Sequence, residues 1–196
     1  QHFDISSYFI FSIFLSRIYS RLWRYGWYYV YTFCNIFNYK CTWCLERVER
    51  LAVKILIMGL PGSGKTWLAK RLQKHLSCAW YNADEIRKMA NDWEFTDLAR
   101  FRQANRMAVL ADTEVLFDRV VICDFVCPTN TLRNVFNADY TVWMDTINAG
   151  QFEDTNKVFE KPNLSNVNYH VSRWFDNTDE TLADAIHRHI RLEQNV

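Results

Sequence analysis

The chain is poor in the residues that break or loosen a backbone, with five glycines and three prolines in 196 residues. That scarcity excludes collagen-like repeats and flexible-linker composition. An excess of charge of one sign is missing too: 23 Lys and Arg face 22 Asp and Glu, for a formal net charge of +1. With an ordinary charged fraction, this excludes a disordered polyelectrolyte and a strongly basic nucleic-acid binder, so no nucleic-acid partner is expected. No apolar run approaches the roughly 20 residues that a membrane-spanning helix needs. The six cysteines show no dense disulfide spacing, and a chain of this length does not need one, which points to a reduced, cytoplasmic setting. No methionine precedes Met58, so the leading residues read as a fragment or as a processed or mistranslated end.

What is present is unevenly placed. Of 32 Phe, Trp and Tyr, 16 fall between Phe3 and Trp43. Residues 1–49 are therefore expected to form an aromatic-rich N-terminal extension, and residues 50–196 the globular domain. Arg17, Arg21 and Arg24 separate two aromatic runs and share one helical face. A helical extension or a non-native leader is the plain reading, and an interfacial amphipathic helix in contact with a membrane is the alternative. Cys41-Thr42-Trp43-Cys44 lacks the second paired element of a zinc site and reads as structural. Nothing in the sequence specifies an oligomeric state.

The four glycines and prolines at Gly59, Pro61, Gly62 and Gly64 are concentrated in one place. Residues 51–58 are mostly apolar and β-branched, the pattern of a strand buried on both faces. Gly59-Leu60-Pro61-Gly62-Ser63-Gly64-Lys65-Thr66 follows directly, and residues 67–76 continue with helical period. Strand, G-x-x-x-x-G-K-T and helix in that order is the context of a phosphate-binding loop, or P-loop. Its glycines let successive N–H groups curl toward phosphate oxygens, and the helix adds the positive end of its dipole. Lys65 then serves the β- and γ-phosphates of ATP, and Thr66 a Mg²⁺ ion.

Further strands are expected over residues 78–81, 119–125 and 167–171. Helices are expected from the Phe95-Thr96-Asp97 cap to about Phe117, after Val126-Cys127-Pro128 to about Phe136, and from Thr178 to about Leu192. Together they predict a three-layer α/β P-loop domain with a central parallel sheet of about five strands. Asp84 leaves the end of the second strand, at the edge where ligands gather, and is expected as a catalytic acid or base or metal partner. The competing expectation is an acidic helix N-cap. Asp124 ends the next strand, where a carboxylate can help hold Mg²⁺. His170, His187 and His189 lack metal-like spacing with carboxylates and are expected on the surface. Cys123 and Cys127 read as packing.

From about residue 54 to 145, the ordered motifs GLPGSGKT, NADEIR, FTDLARFRQANR and FVCP, then Arg133 and Met144-Asp145-Thr146, resemble adenylylsulfate kinases. These enzymes transfer the ATP γ-phosphate to the 3′-hydroxyl of adenosine 5′-phosphosulfate. The resemblance implies Asp84 as base or metal partner and Arg87 and Arg100 as clamps on the phosphosulfate. It also implies Phe95 stacking on the acceptor base, Gln103 in the acceptor site where the family has Asn, and Phe125 and Cys127 lining that side. There are departures. The family's Asp-Gly-Asp reads Asn82-Ala83-Asp84, and Asp124 stands where the family has a small residue. The lid, residues 148–162, is short, with Lys157 the lysine expected to close over the phosphates as a catalytic cation. Phe159-Glu160-Lys161-Pro162 corresponds to an acceptor-side segment of the family.

Overall fold

A computed structural model describes residues 52–193 of the chain. The aromatic leader, the Cys41/Cys44 pair and the proposed boundary near Arg50 lie outside the described residues. Among the described residues, no helix is long and apolar enough to cross a membrane.

The chain folds as β1 (Lys54–Gly59), α1 (Lys65–Leu76), β2 (Ala79–Asn82), α2 (Ala83–Met89), α3 (Asp97–Leu116), β3 (Val121–Asp124), α4 (Asn130–Phe136), β4 (Tyr140–Met144), α5 (Glu153–Val158), a 3₁₀ turn (Leu164–Asn166), β5 (Tyr169–Val171) and α6 (Thr178–Glu193). The five strands form one parallel sheet in the order β2-β3-β1-β4-β5. This matches the expected α/β class and strand number. The order reverses between β1 and its two neighbours, which opens a crevice at the carboxyl ends of the strands.

The period of two along a strand builds the two core layers. Ile55 and Ile57 of β1 pack with Leu68 and Leu72 of α1 and with Leu182 and Ile186 of α6. Leu56 and Met58 point the other way, onto Met107 and Ala111 of α3 and Phe136 of α4. All six residues of β1 are buried. Lys54, the one charged residue among them, satisfies its ammonium by pairing with Asp112 at 2.6 Å and lying 4.6 Å above the Phe136 ring.

Local chemistry sets the ends of the helices. Thr96 Oγ1 accepts from Ala99 N at the start of α3, as its sequence predicts, and Thr129 does the same for Leu132 N in α4. At α2 the expectation fails in an informative way. The cap is Asn82, whose Oδ1 accepts from the N–H groups of both Asp84 and Glu85 at 3.1 Å. Asp84 sits in the first turn and is not the cap. Residues 148–162, the expected lid, carry a short helix, α5. His75 and Arg71 meet Asp179 at 3.2 and 3.5 Å and so join α1 to α6. His170 stacks on Trp143 with centroids 4.4 Å apart and meets Asp145 at 3.2 Å. It is an exposed histidine with a carboxylate partner that its spacing did not reveal.

Phe136 is fully buried and sits edge-on to Phe125 at 5.3 Å, beneath the Lys54 ammonium. Its truncation leaves a cavity in the α3–α4 layer. Phe136→Ala is expected to lower the unfolding free energy of the full chain by about 3–5 kcal/mol. Urea denaturation measures this, and a loss under about 1 kcal/mol would show that this layer contributes little.

Candidate active site

The strand register delivers the site. Asn82 lies opposite Asp124 across β2–β3, and Asp124 lies opposite Ile57 of β1, two residues before Gly59. The ends of three strands and the P-loop therefore converge on one cavity of about 870 Å³.

The P-loop backbone explains its glycines at two positions. Gly59 has φ +148°, and a Cβ there would lie 2.3 Å from the Met144 carbonyl oxygen. Gly64 has φ +92°, and its Cβ would lie 2.3 Å from Cζ2 of Trp174. Lys65 follows as the first residue of α1, buried, with Nζ donating to the Leu60 carbonyl at 2.9 Å. Burial pushes its ammonium down from 10.5 to about 8, against the opposing pull of Asp124 and Asp84. Ser63 Oγ is buried without a hydrogen-bond partner.

Asp124, 2% exposed, is held by three side-chain donors. Its Oδ2 accepts from Thr66 Oγ1 at 2.7 Å and from Asn82 Nδ2 at 2.9 Å, and its Oδ1 accepts from Trp80 Nε1 at 2.7 Å. Burial raises its pKa, while these three donors and Lys65 oppose the rise. The hydroxyl of Thr66 and the carboxylates of Asp124 and Asp84, all on the cavity wall, are hard oxygen donors of the kind that suits Mg²⁺.

The same cavity is also lined by Arg87, Phe95, Arg100, Gln103, Phe125 and Cys127, the residues expected from the sequence. The cavity brings them together, but several are already engaged. Arg87 is buried and not on a solvated surface. Its Nη1 donates to the carbonyls of Asp92 and Glu94 at 3.1 and 3.0 Å, and its guanidinium lies over the Phe95 ring at 4.8 Å. Arg100 pairs with Asp154 of α5 at 3.0 Å. Gln103 donates to the Ala83 carbonyl at 3.1 Å and accepts from Arg106, so both ends of its amide have protein partners. The Cys127 backbone adopts φ +43°, and burial pushes its thiol up to about 12, which leaves it an inert wall residue. Lys157 does not line the cavity. It pairs with Glu153 one turn away at 2.8 Å and is exposed.

Arg133 braces the turn that carries Cys127. Its guanidinium donates to the carbonyls of Cys127, Pro128 and Glu160 and to Asn130 Oδ1. Glu160 returns two contacts, N to the Pro128 carbonyl and Oε2 from Asn130 N, both at 2.8 Å. The 159–162 segment is thereby fixed to the turn that carries Cys127. Sequence reasoning missed Trp80, Asp154 and Trp174. Trp80 and Trp174 carry no motif signal, and Asp154 is one acid among several in the lid.

A model of the adenylylsulphate kinase family matches residues 51–162. No curated protein matches the chain. Among solved structures, the Mycobacterium tuberculosis APS kinase CysC in complex with AMPPNP and APS aligns with TM-score 0.58 and 17% identity, over 69% of this chain and 98% of that one. A sugar kinase from Janibacter sp. HTCC2649 aligns with TM-score 0.52 and 17% identity, over 72% and 95%. A gluconokinase from Sinorhizobium meliloti 1021 aligns with TM-score 0.51 and 16% identity, over 74% and 96%. At these identities the likeness establishes the fold, a P-loop kinase architecture.

The position of Lys65 generates a pH dependence of definite sign. Between about 8 in the folded chain and 10.5 in the unfolded chain, the unfolded chain binds more protons at this group. The contribution of Lys65 to apo stability therefore rises with pH in that window. Phosphate binding has the opposite dependence because it uses the charged ammonium. ATP affinity measured by calorimetry is expected to fall several-fold from pH 8 to pH 9, and that fall should be absent in Lys65→Met. An equal fall in the variant would assign the titration to another group.

Proposed function

Because the chain belongs to the adenylylsulphate kinase family, we propose that it transfers the γ-phosphate of ATP to the 3′-hydroxyl of adenosine 5′-phosphosulfate. The observation that carries this reading is that one cavity is lined both by Gly62, Lys65 and Thr66 of the P-loop and by Asp84, Arg87, Phe95 and Arg100. Donor phosphates and acceptor have a common floor.

In this reading the backbone N–H groups of residues 62–66 and Lys65 hold the β- and γ-phosphates. The acceptor hydroxyl oxygen forms a bond to the γ-phosphorus as the bond from that phosphorus to the β–γ bridging oxygen breaks. The hydroxyl proton passes to the Asp84 carboxylate, and ADP leaves. Such a transition state asks mainly for positioning and charge stabilisation. Thr66, with Asp124 and Asp84, would hold Mg²⁺, which when bound neutralises charge developing on the phosphate oxygens. Arg87 and Arg100 orient the acceptor anion, with Phe95 against its base. Gln103, Phe125 and Cys127 shape the wall. Closure of residues 148–162 would have to move Lys157 from Glu153 to the phosphates for it to serve as the lid cation.

A second reading, a neutral polyhydroxy acceptor, is favoured by one observation. Arg100 is already paired with the Asp154 carboxylate, so one of the two guanidinium groups offered to a phosphosulfate already has an anionic partner.

ADP release by the full chain separates the readings. It should be measured with ATP alone, with adenosine 5′-phosphosulfate, and with sugars, nucleosides and oligonucleotides. Stimulation by the phosphosulfate alone is the expected result. Stimulation by a different acceptor replaces it, and tight ATP binding with no stimulation indicates a nucleotide switch. Asp84→Asn is expected to lower kcat at least about 100-fold with little change in ATP affinity. Equal losses in both would remove Asp84 as the base.

A further inference from the structure

We propose that Asn82 is a positioning residue that holds the two halves of the site in register. Its amide nitrogen fixes the Asp124 carboxylate beside Thr66, and its amide oxygen fixes the turn that presents Asp84. Four contacts carry this. Nδ2 donates to Asp124 Oδ2 at 2.9 Å and to Thr66 Oγ1 at 3.2 Å, and Oδ1 accepts from Asp84 N and Glu85 N, both at 3.1 Å. The orientation of the amide follows from its neighbours. Two backbone N–H groups need an acceptor on one side, and a buried carboxylate needs a donor on the other.

Among the common capping residues, Asn alone does both. Asp would cap α2 but has no hydrogen to give Asp124, and would set a second carboxylate against it. Ser would cap α2 but has no amide to span to β3. The cross-strand rung between Asn82 and Asp124 makes the reach possible. Trp80, two residues earlier on the same strand, takes the other carboxylate oxygen. Both Asp124 oxygens are thus pinned from β2, while Thr66 approaches from α1. A group that orients a ligand-bearing carboxylate acts on metal affinity through that carboxylate.

The proposal rests on Thr66 and Asp124 as the metal-facing edge, and the test examines that premise separately. The readout is Mn²⁺ binding to the full chain in the presence of ATP and without any acceptor, followed by electron paramagnetic resonance. Mn²⁺ shares the hard oxygen preference of Mg²⁺ and is directly observable. Failure of the wild-type chain to bind Mn²⁺ overturns the premise and the proposal with it.

Given wild-type binding, N82S keeps a capping oxygen, loses the amide donor and is expected to weaken Mn²⁺ about tenfold. Because Asn82 acts through Asp124, N82S/D124N is expected to bind no more weakly than D124N alone. Wild-type affinity in N82S, or a double variant that loses the sum of the single effects, overturns the proposal. Should N82S fail to fold, the reciprocal exchange N82D/D124N replaces it. That exchange is expected to bind Mn²⁺ more tightly than D124N, and affinity no better than D124N overturns the proposal.

Discussion

A carboxylate buried at the end of a central strand is the constraint around which this site is organised. Taking an ionised carboxylate out of water costs several kcal/mol unless hydrogen bonds replace the lost hydration. At Asp124 the replacement comes from three directions: the hydroxyl of Thr66, the indole of Trp80 and the amide of Asn82. Each donor sits on an element whose placement the sheet dictates. A one-residue slip of β2 against β3 would turn Asn82 and Trp80 to the other face and leave the carboxylate with Thr66 alone. The register of the sheet and the chemistry of the P-loop edge are therefore a single requirement.

The arginines around the cavity follow a different principle. They are held by the protein in advance, Arg87 by backbone carbonyls and Arg100 by Asp154 on the cavity lining, and Arg133, behind it, by the turn at residues 127–130 and by the segment after α5. Guanidinium groups placed in advance lose little conformational freedom when a ligand arrives. Arg100 also offers an anion less than a free guanidinium would, since the anion competes with Asp154. The Arg100–Asp154 pair links α3 to α5, so the cavity wall and residues 148–162 share one contact.

Patterns confined to a few neighbouring residues were legible from the sequence. The apolar run that buries both faces of β1, the glycine spacing of the P-loop and the Thr96 cap each depend on residues close in the chain. Phe95, Phe125 and Cys127, singled out through ordered motifs, line the cavity. What escaped was contact between elements. The rung joining Asn82 to Asp124 spans 42 positions and exists only once the strand order is known. The resemblance assigns Gln103 and residue type assigns Lys157, yet the first is engaged by Ala83 and Arg106 and the second by Glu153. A polar side chain's role depends on which partner reaches it first, and periodicity carries no information about that.

Gly64 shows how two constraints can fall on one residue. Its positive φ turns the P-loop backbone into α1, a conformation costly for any side chain. The space where a Cβ would stand is also filled by Trp174, which packs edge-on against Trp67 of α1 at 4.8 Å. Trp67 in turn lies under the Arg71 guanidinium at 4.0 Å, and Arg71 reaches Asp179 of α6. The loop after the short edge strand β5 is thereby packed onto the P-loop backbone. The P-loop is held in shape here by two sets of contacts, a hydrogen-bonded carboxylate and an edge-on pair of tryptophans. The glycine is required by the tryptophan contact as much as by the turn.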